Sequence, residues 1–239
     1  MERNDKQFIV KDWGLIDYKA AWEQQETLFQ EISAIKLSNR EAPIEERQAT
    51  PNYLIFCEHP PVYTLGRTGS QGHLLASQEE LQQKGISLFH INRGGDITYH
   101  GPGQLVLYLV LDLENFFRDV HRYLRLLERA VTHALMDFHL PSAVLPGLTG
   151  VWIDAALPLQ ARKVCAIGIR MSRWITMHGL ALNVNTDLSY FERIVPCGIQ
   201  ACLVTSMAAE LGRKLSMQEV QDRLQSHVTQ LLLASSSLP

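Results

Sequence analysis

The sequence predicts an α+β fold, with a mixed, mostly antiparallel main sheet and helices packed against it. Helical and strand-like segments mix without strict strand–helix–strand alternation, which argues against a doubly wound parallel sheet. Strand-like runs separated by turn signals cluster in the middle of the chain. The 239 residues are 46% hydrophobic and 20% charged, a balance that excludes wholesale disorder. We expect a single domain over residues 1–239, with its core over about residues 8–232.

The first half of the chain alternates short strands with two helices. Tyr18, Trp22, Phe29 and Ile32 recur at helical spacing. Ser77 and Glu80 form a capping box for a second, short helix that Gly85 ends. The predicted segments are a strand (8–16), a helix (17–35), a polar surface loop (36–50), strand–turn–strand (53–67), a helix (77–85), a strand (86–91), a glycine-rich loop (93–104) and a buried strand (105–113).

The second half begins with a long amphipathic helix over residues 119–139. Three strand-like pieces follow, GVWID, ARKVCAIGIRM and WITMHGLALNV, all rich in β-branched and aromatic residues. A short helix over 205–211 should end at Gly212. Ser216 and Glu219 cap a last helix whose inward positions are predicted to be Val220, Leu224, Val228 and Leu231. Residues 235–239 should form a frayed tail.

Charge and cysteine content exclude several classes of protein. The net charge of −3 argues against a dedicated nucleic-acid binder. None of the four cysteines forms a CxxC pair, the N-terminus is too polar for a signal peptide, and no apolar run approaches the ~20 residues of a membrane span. We therefore expect a cytoplasmic protein with reduced thiols and no membrane partner.

The glycine-rich segment Arg93–Gln104 is the first candidate for chemistry. Four glycines within eleven positions expose backbone N–H groups and let a ligand approach the main chain closely. Arg93 could hold an anion, and His100 could titrate near neutral pH. The segment matches neither a P-loop nor a dinucleotide fingerprint. A glycine-rich hairpin with a bulge is the alternative interpretation.

Lys163 and Cys197 are two further candidates. Strand alternation places Lys163 on the same face as Cys165, Ile167 and Ile169, where it either reaches the rim or has a partner; the residues alone favour the rim. Pro196 and Gly198 flank Cys197, which would be a nucleophile only as a thiolate. The alternative for this thiol is a buried apolar role.

The other cysteines, Cys57, Cys165 and Cys202, lie in apolar runs and are assigned to packing. His59 and His178 could line a pocket, but a turn-capping role is favoured for each.

Five motifs and the order in which they occur carry a resemblance to a known family. The motifs are EHPPVYTLGR, RGGDITYHGPGQLVLYLVLDL, GVWI, RKVCAIGIR and HGLALNVNTDLSYFERIVPCGI. Together they resemble the octanoyltransferases of lipoate biosynthesis over residues 8–232. The resemblance implies the catalytic-domain fold shared by biotin and lipoate protein ligases.

The same resemblance implies an activity and a set of site residues. The activity is transfer of an octanoyl group from acyl carrier protein to a lysine of lipoyl domains, in 2-oxoacid dehydrogenase subunits and the glycine cleavage H protein. No cofactor or metal is implied. The family's nucleophile falls on Cys197 and the lysine that lowers its pKa on Lys163. Substrate-binding positions fall on Arg93, Gly94, Gly95, Asp96, Ile97, Thr98, Tyr99, His100, Ala166, Ile167, Gly168, Gly179, Leu180 and Ala181.

Three rival functions remain open from the sequence. An ATP-dependent lipoate–protein ligase would have the same fold without needing a nucleophilic cysteine. A catalytically silent protein could bind lipoyl domains or acyl chains. A thioesterase would result if water replaced the acceptor amine.

Overall fold

Eleven strands form two sheets in the computed structural model, which describes residues 6–157, 159–195 and 203–235. The strands are β1 (Phe8–Leu15), β2 (Asn52–Glu58), β3 (Val62–Leu65), β4 (Ser87–His90), β5 (Ile97–His100), β6 (Gln104–Val110), β7 (Ala143–Leu145), β8 (Leu148–Ile153), β9 (Arg162–Ser172), β10 (Ile175–Asn183) and β11 (Leu203–Val204). The main sheet has the order β1-β2-β6-β10-β9-β8-β7, with β11 paired to β9, and the small sheet has the order β4-β3-β5. Within the main sheet, only the pairs β1–β2 and β11–β9 of the described strands are parallel. The predicted fold class is confirmed.

Helices cover both faces of the main sheet. The described helices are α1 (Tyr18–Glu41), α2 (Gln78–Gln83), which packs against the small sheet through Leu81, α3 (Val120–Asp137), α4 (Met207–Leu211) and α5 (Met217–Ser235). One face packs against α1 through a cluster that includes Phe29 and Ile32. The other face packs against α3 and α5 through a larger cluster that includes Leu127 and Val228. Within the described residues, no helix is both long and apolar enough to cross a membrane.

The first helix is longer than its sequence predicts. The segment 36–50, expected to be a loop, continues the helix to Glu41. Lys36 explains this, because its ammonium pairs with Asp112 and with Glu114 (2.8 Å). Both carboxylates lie far from Lys36 along the chain. A tertiary ion pair therefore extends α1 beyond its apolar face, and the helix ends just before Pro43.

The glycine-rich segment also differs from its prediction. Residues 97–100 form strand β5 rather than a loop, and β5 pairs with β3 in the small sheet. The alternative of a hairpin is wrong as well, because β5 and β6 belong to different sheets. The turn at Gly101–Gly103, in which Gly103 has φ +80°, moves the chain from one sheet to the other.

Most of the helix signals agree with the structure. The Ser77–Glu80 capping box is present, and Gly85 and Gly212 adopt left-handed backbone. In α5 the fourth fully buried position is Leu232, whereas Leu231 is only partly buried against the core. Ser235 is the last residue of α5, and the predicted frayed residues 236–239 lie outside the described part of the chain.

Leu127 is fully buried between α3 and the main sheet. Leu127→Ala should lower the free energy of unfolding by about 2–5 kcal/mol, because it leaves a cavity in a close-packed core. Met136→Ala, on the exposed side of the same helix, is the matched control and should change it by less than about 0.5 kcal/mol. Urea titration measures both, and equal effects would contradict this packing.

Candidate functional site

A cavity of about 260 Å³ lies between the main sheet and the glycine-rich segment. Three adjacent strands of the main sheet, β6, β9 and β10, form its floor. The lining residues from these strands are Gln104, Val106 and Tyr108; Lys163, Ala166, Ile167 and Gly168; and His178, Gly179, Leu180, Ala181 and Asn183.

Strand register gives the cavity two ends. Asn183 pairs with Gln104 at one end, beside Lys163. At the other end Gly179 pairs with both Tyr108 and Gly168. The apolar middle is formed by residues such as Val106 and Ala181.

Lys163 is buried at the first of these ends. It is only 6% exposed, so the expectation that its ammonium reaches the rim is wrong. Its Nζ lies 4.6 Å from the centre of the Trp152 ring, a cation–π contact that gains strength where water is excluded. A cation held in this setting can stabilise a nearby anion strongly, because screening by water is weak.

Backbone on both sides of Lys163 holds it in place. Its carbonyl accepts a hydrogen bond from Thr205 N–H (2.9 Å), and β11 pairs with Arg162 and Lys163. On the other side, Gly150 has φ +121°, and a Cβ there would lie 3.4 Å from the Lys163 Cε and 2.6 Å from a carbonyl oxygen.

A buried carboxylate fixes that glycine. Glu128, which is inaccessible to solvent, accepts the Gly150 N–H (3.0 Å) and pairs with Arg125 (2.8 Å). The register between β8 and β9 shifts here, so this N–H needs a partner other than the strand ladder. Glu128 therefore supports the wall of the site beside Lys163.

Cys197, the predicted nucleophile, lies outside the described residues. The chain on either side of it is described. Val195 N–H donates to the His73 carbonyl (2.7 Å), and the His73 side chain contacts Asp96 of the glycine-rich segment (2.5 Å). On the far side, Leu203 pairs with Arg162.

Most of the glycine-rich positions line the cavity. These are Arg93, Gly95, Asp96, Ile97, Thr98 and His100. Gly94 and Tyr99 are not part of the described lining. Gly94 uses its N–H to bind the Ile169 carbonyl (2.9 Å), and Tyr99 stacks on Tyr190 within the core of the small sheet.

Arg93 braces this segment rather than reaching outward. Its guanidinium donates to the Thr64 carbonyl and hydroxyl (both 2.8 Å) and to the Gly94 carbonyl (2.9 Å). Gly168 allows the segment to pack on β9, since a Cβ there would lie 2.9 Å from the Gly94 oxygen.

His100 begins a buried polar network that leads toward Lys163. Its Nδ1 lies 2.7 Å from Gln104 Oε1, and Gln104 Nε2 donates to Asn183 Oδ1 (2.9 Å). The Asn183 side chain in turn donates to the carbonyl of Thr205, and the backbone N–H of Thr205 donates to the backbone carbonyl of Lys163. Burial, followed by the nearby His59, lowers the pKa of His100 to about 3. The imidazole is therefore neutral near pH 7.

The other two histidines were expected to cap turns, and neither does. His178 lines the cavity, and burial lowers its pKa to about 3. His59 lies behind the lining, where it contacts the Tyr108 hydroxyl (2.7 Å) and the Ile16 carbonyl (2.7 Å).

The described cysteines agree with their packing assignment. Cys57 and Cys165 are buried, and burial raises the pKa of both thiols well above the usual value. Cys202 lies outside the described residues. No group of three or more His, Cys, Asp or Glu suited to a metal occurs among residues 6–157, 159–195 and 203–235.

Sequence reasoning missed several lining residues. Val106 and Tyr108 alternate along β6 with Gln104, the last residue of the predicted glycine-rich segment, and that spacing places all three on one face. The position of Glu128 could also have been noticed in the sequence. It is a carboxylate next to Leu127, on the predicted apolar face of α3.

The neutral histidines predict an acid-dependent loss of stability. The native pKa of His100 is about 3, against ~6.5 in an unfolded chain, so the unfolded state binds more protons between these values. The free energy of unfolding should therefore fall by about 1.4 kcal/mol per pH unit for this group as the pH drops from 6.5. His100→Gln should remove that part of the slope in urea titrations at several pH values. An unaltered slope would contradict it, and His121→Gln, at an exposed position, is the control.

Gly168→Ala should destabilise the packing of the glycine-rich segment on β9. The new Cβ would meet the Gly94 oxygen at 2.9 Å and Arg93 Cδ at 3.1 Å, so we expect a loss of about 1–3 kcal/mol. Gly72→Ala is the matched control, since its Cβ would meet its nearest neighbour at 3.6 Å. Equal thermal midpoints for the two variants would disprove the close approach.

The fold and the sequence agree with one family. The lipoyl protein ligase A/B catalytic domain matches residues 17–229. The octanoyltransferase of Cytophaga hutchinsonii is 53% identical over 232 residues, 97% of this chain and 95% of that enzyme. Two solved structures share the fold: a bipartite lipoate protein ligase from Thermoplasma acidophilum (TM-score 0.65, 17% identity, 95% of this chain and 84% of that one) and a biotin protein ligase from Aquifex aeolicus (TM-score 0.52, 14% identity, 97% and 72%). The chain therefore belongs to the lipoyl protein ligase A/B catalytic-domain family and, within it, to the octanoyltransferases.

Proposed function

We propose that this octanoyltransferase takes its octanoyl group from acyl carrier protein and passes it through Cys197 to a lysine of a lipoyl domain. The observation that carries the proposal is Lys163, a buried lysine that lines a cavity with a mostly apolar surface. Acceptors would be lipoyl domains of 2-oxoacid dehydrogenase subunits and the glycine cleavage H protein. The structure of the Thermoplasma acidophilum ligase was described together with its E2 lipoyl domain, which supports this acceptor class.

Chain connectivity supports a role for Cys197 beside Lys163. Cys197 follows Val195 by two residues, so their Cα atoms are at most ~7 Å apart. Val195 is tied through His73 to Asp96, which lines the cavity. The chain then returns at Leu203–Val204, which pairs with Arg162–Lys163. The described residues before Cys197 thus connect to the lining of the cavity, and those after Cys202 pair with Lys163, which supports a position for the thiol near both.

The first half-reaction exchanges one thioester for another. An ammonium at Lys163 stabilises the Cys197 thiolate, which attacks the carbonyl carbon of the carrier thioester. The bond to the carrier sulfur breaks, and Lys163 gives its proton to the departing thiolate. The products are acyl-Cys197, the free carrier thiol and neutral Lys163.

The second half-reaction forms an amide. Neutral Lys163 takes a proton from the acceptor amine, which attacks acyl-Cys197. The carbon–sulfur bond breaks, and the acceptor lysine departs carrying the octanoyl group as an amide. The pair of Cys197 thiolate and Lys163 ammonium is restored. Because a thioester is converted to a more stable amide, the cycle needs no ATP.

Backbone N–H groups at two positions could donate hydrogen bonds to the oxyanion of the reacting carbonyl. The Gly94 N–H already binds Ile169, which argues against it as a donor. Gly95 lines the cavity, and the Cys197–Gly198 backbone follows directly from the anchored Val195. We assign stabilisation of the oxyanion to N–H groups from these two positions.

The acyl chain would lie along the apolar middle of the cavity. Val106, Ile167 and Ala181 line this part. At about 0.8 kcal/mol per buried methylene, the chain contributes several kcal/mol in total, although each carbon discriminates weakly.

Intact-mass analysis after incubation with octanoyl carrier protein, without ATP, tests the reaction class. We expect an octanoyl adduct on the wild-type chain that maps to Cys197, with octanoylated lipoyl domain formed when the acceptor is added. Cys197→Ser should abolish the adduct or convert it to a slowly reacting ester, and Cys202→Ala should retain it.

Each rival function predicts a different result in that experiment. Strict ATP dependence would indicate a ligase, free octanoate would indicate a thioesterase, and no adduct would indicate a binding protein. An adduct on a cysteine other than Cys197 would identify the wrong nucleophile.

Lys163→Arg should lower transfer by roughly 10²–10⁴-fold, the usual contribution of a general acid–base group, since arginine stays charged and cannot act as a base. The urea midpoint of the variant tests whether the fold is kept, and Lys163→Met provides a second, uncharged replacement. Near-normal transfer by either variant would exclude Lys163 from proton transfer.

A further inference from the structure

The lining of the cavity ends at nearly the same level on all three strands of its floor. The last lining residues are Gly168 on β9, Tyr108 on β6 and His178 on β10. We call this set the closed end. Beyond it, Met177 of β10 and Val110 of β6 belong to the core packed against α1.

His178 is turned into the closed end by an unusual backbone. Alternation along β10 would place it with Leu180 and Leu182, which pack on the α3 side of the sheet. Its φ of +61° instead sets its ring against Tyr108, on the α1 side, with ring centres 6.5 Å apart. A left-handed conformation costs a non-glycine residue about 1–2 kcal/mol, and such strain clusters at functional sites.

The surrounding structure holds His178 in this strained conformation. The backbone N–H of His178 donates to the side-chain oxygen of Gln25 (3.0 Å). Gln25 belongs to α1 and is itself only 1% exposed. Its Nε2 lies 3.5 Å from Asn92 Oδ1, next to the glycine-rich segment. Within the closed end, Gly168 offers no side chain and Tyr108 is bound through its hydroxyl to His59.

The distance along the floor of the cavity matches an eight-carbon chain. Asn183 and Gly179 are four strand residues apart, or ~13 Å. An extended eight-carbon chain spans ~9 Å at backbone-like bond geometry, and its last carbon then needs ~4 Å to the atoms it contacts. A chain whose carbonyl lies at the Lys163 end would thus meet the closed end with its methyl group.

We infer that His178 is the residue that limits acyl chain length, with its imidazole blocking the cavity at the eighth carbon. This inference rests on the proposed function. The ring is neutral near pH 7 because burial lowers its pKa to about 3. Hydrocarbon can therefore cover it without desolvating a charge.

His178→Gly is the direct test, because glycine adopts the left-handed backbone without strain and removes the ring. The ratio of kcat/KM for decanoyl over octanoyl carrier protein should rise by about tenfold, since two more methylenes gain burial. His178→Asn, which also tolerates this backbone, should raise the ratio by less and covers the case in which the glycine variant fails to fold.

Val106→Ala is the matched control, because it widens the middle of the cavity without opening its end. Its decanoyl-to-octanoyl ratio should stay near the wild-type value. Equal ratios in wild type and both His178 variants, or an equal rise in Val106→Ala, would overturn the inference.

A binding measurement separates this inference from the proposed function. If no acyl adduct forms with any donor, the proposed function fails, and calorimetry with free octanoate and decanoate then reports on His178 alone. A rise of the decanoate-to-octanoate affinity ratio in His178→Gly supports the length limit. An unchanged ratio, or no binding of either acid, overturns it.

Discussion

The burial of one cation, Lys163, is the constraint on which the site depends. An ammonium removed from water is costly unless its surroundings compensate, and the structure surrounds this one with the Trp152 ring and with backbone fixed on both sides. Gly150 leaves room for the lysine stem, and Glu128 holds Gly150 in place from a neighbouring helix. The same exclusion of water that makes the cation costly also strengthens its attraction for an anion placed beside it.

The rest of the cavity is assembled by close backbone approach. Gly168 lets the glycine-rich segment lie on β9, and a Cβ at Gly179 would lie 2.1 Å from the Leu107 oxygen. Side-chain amides then complete the assembly, with Gln104 and Asn183 joining His100 to the backbone that holds Lys163. The polar groups of this network satisfy one another, which favours a single arrangement over many.

Periodicity in the sequence predicted the helices, most strands and the mixed sheet, because those depend on local patterns. It failed where a distant contact decides the local structure. Lys36 extends α1 through ion pairs with residues far along the chain, and nothing near residue 36 indicates them. His178 was expected to cap a turn, whereas it lines the cavity through a positive φ that a hydrogen bond to Gln25 of another element sustains.

The candidate site likewise combines features that local sequence predicts with features that it does not. The glycines and Lys163 could be singled out from composition and motif, whereas the position at which the lining of the cavity ends depends on strand register. Tyr108 and Gly168 lie 60 residues apart in the chain, and their coincidence at one level follows from pairing through Gly179.

Strand β1 leaves one side of the main sheet unpaired, since it neighbours only β2 among the described strands. Such an edge presents free N–H and C=O groups to other molecules, and Ile9 and Val10 add exposed apolar surface to it. Lys11, Asp12 and the irregular register that follows Asp12 interrupt this surface. Replacing these two charged residues with apolar ones would promote edge-to-edge aggregation at high concentration, while the cavity on the other strands would remain intact.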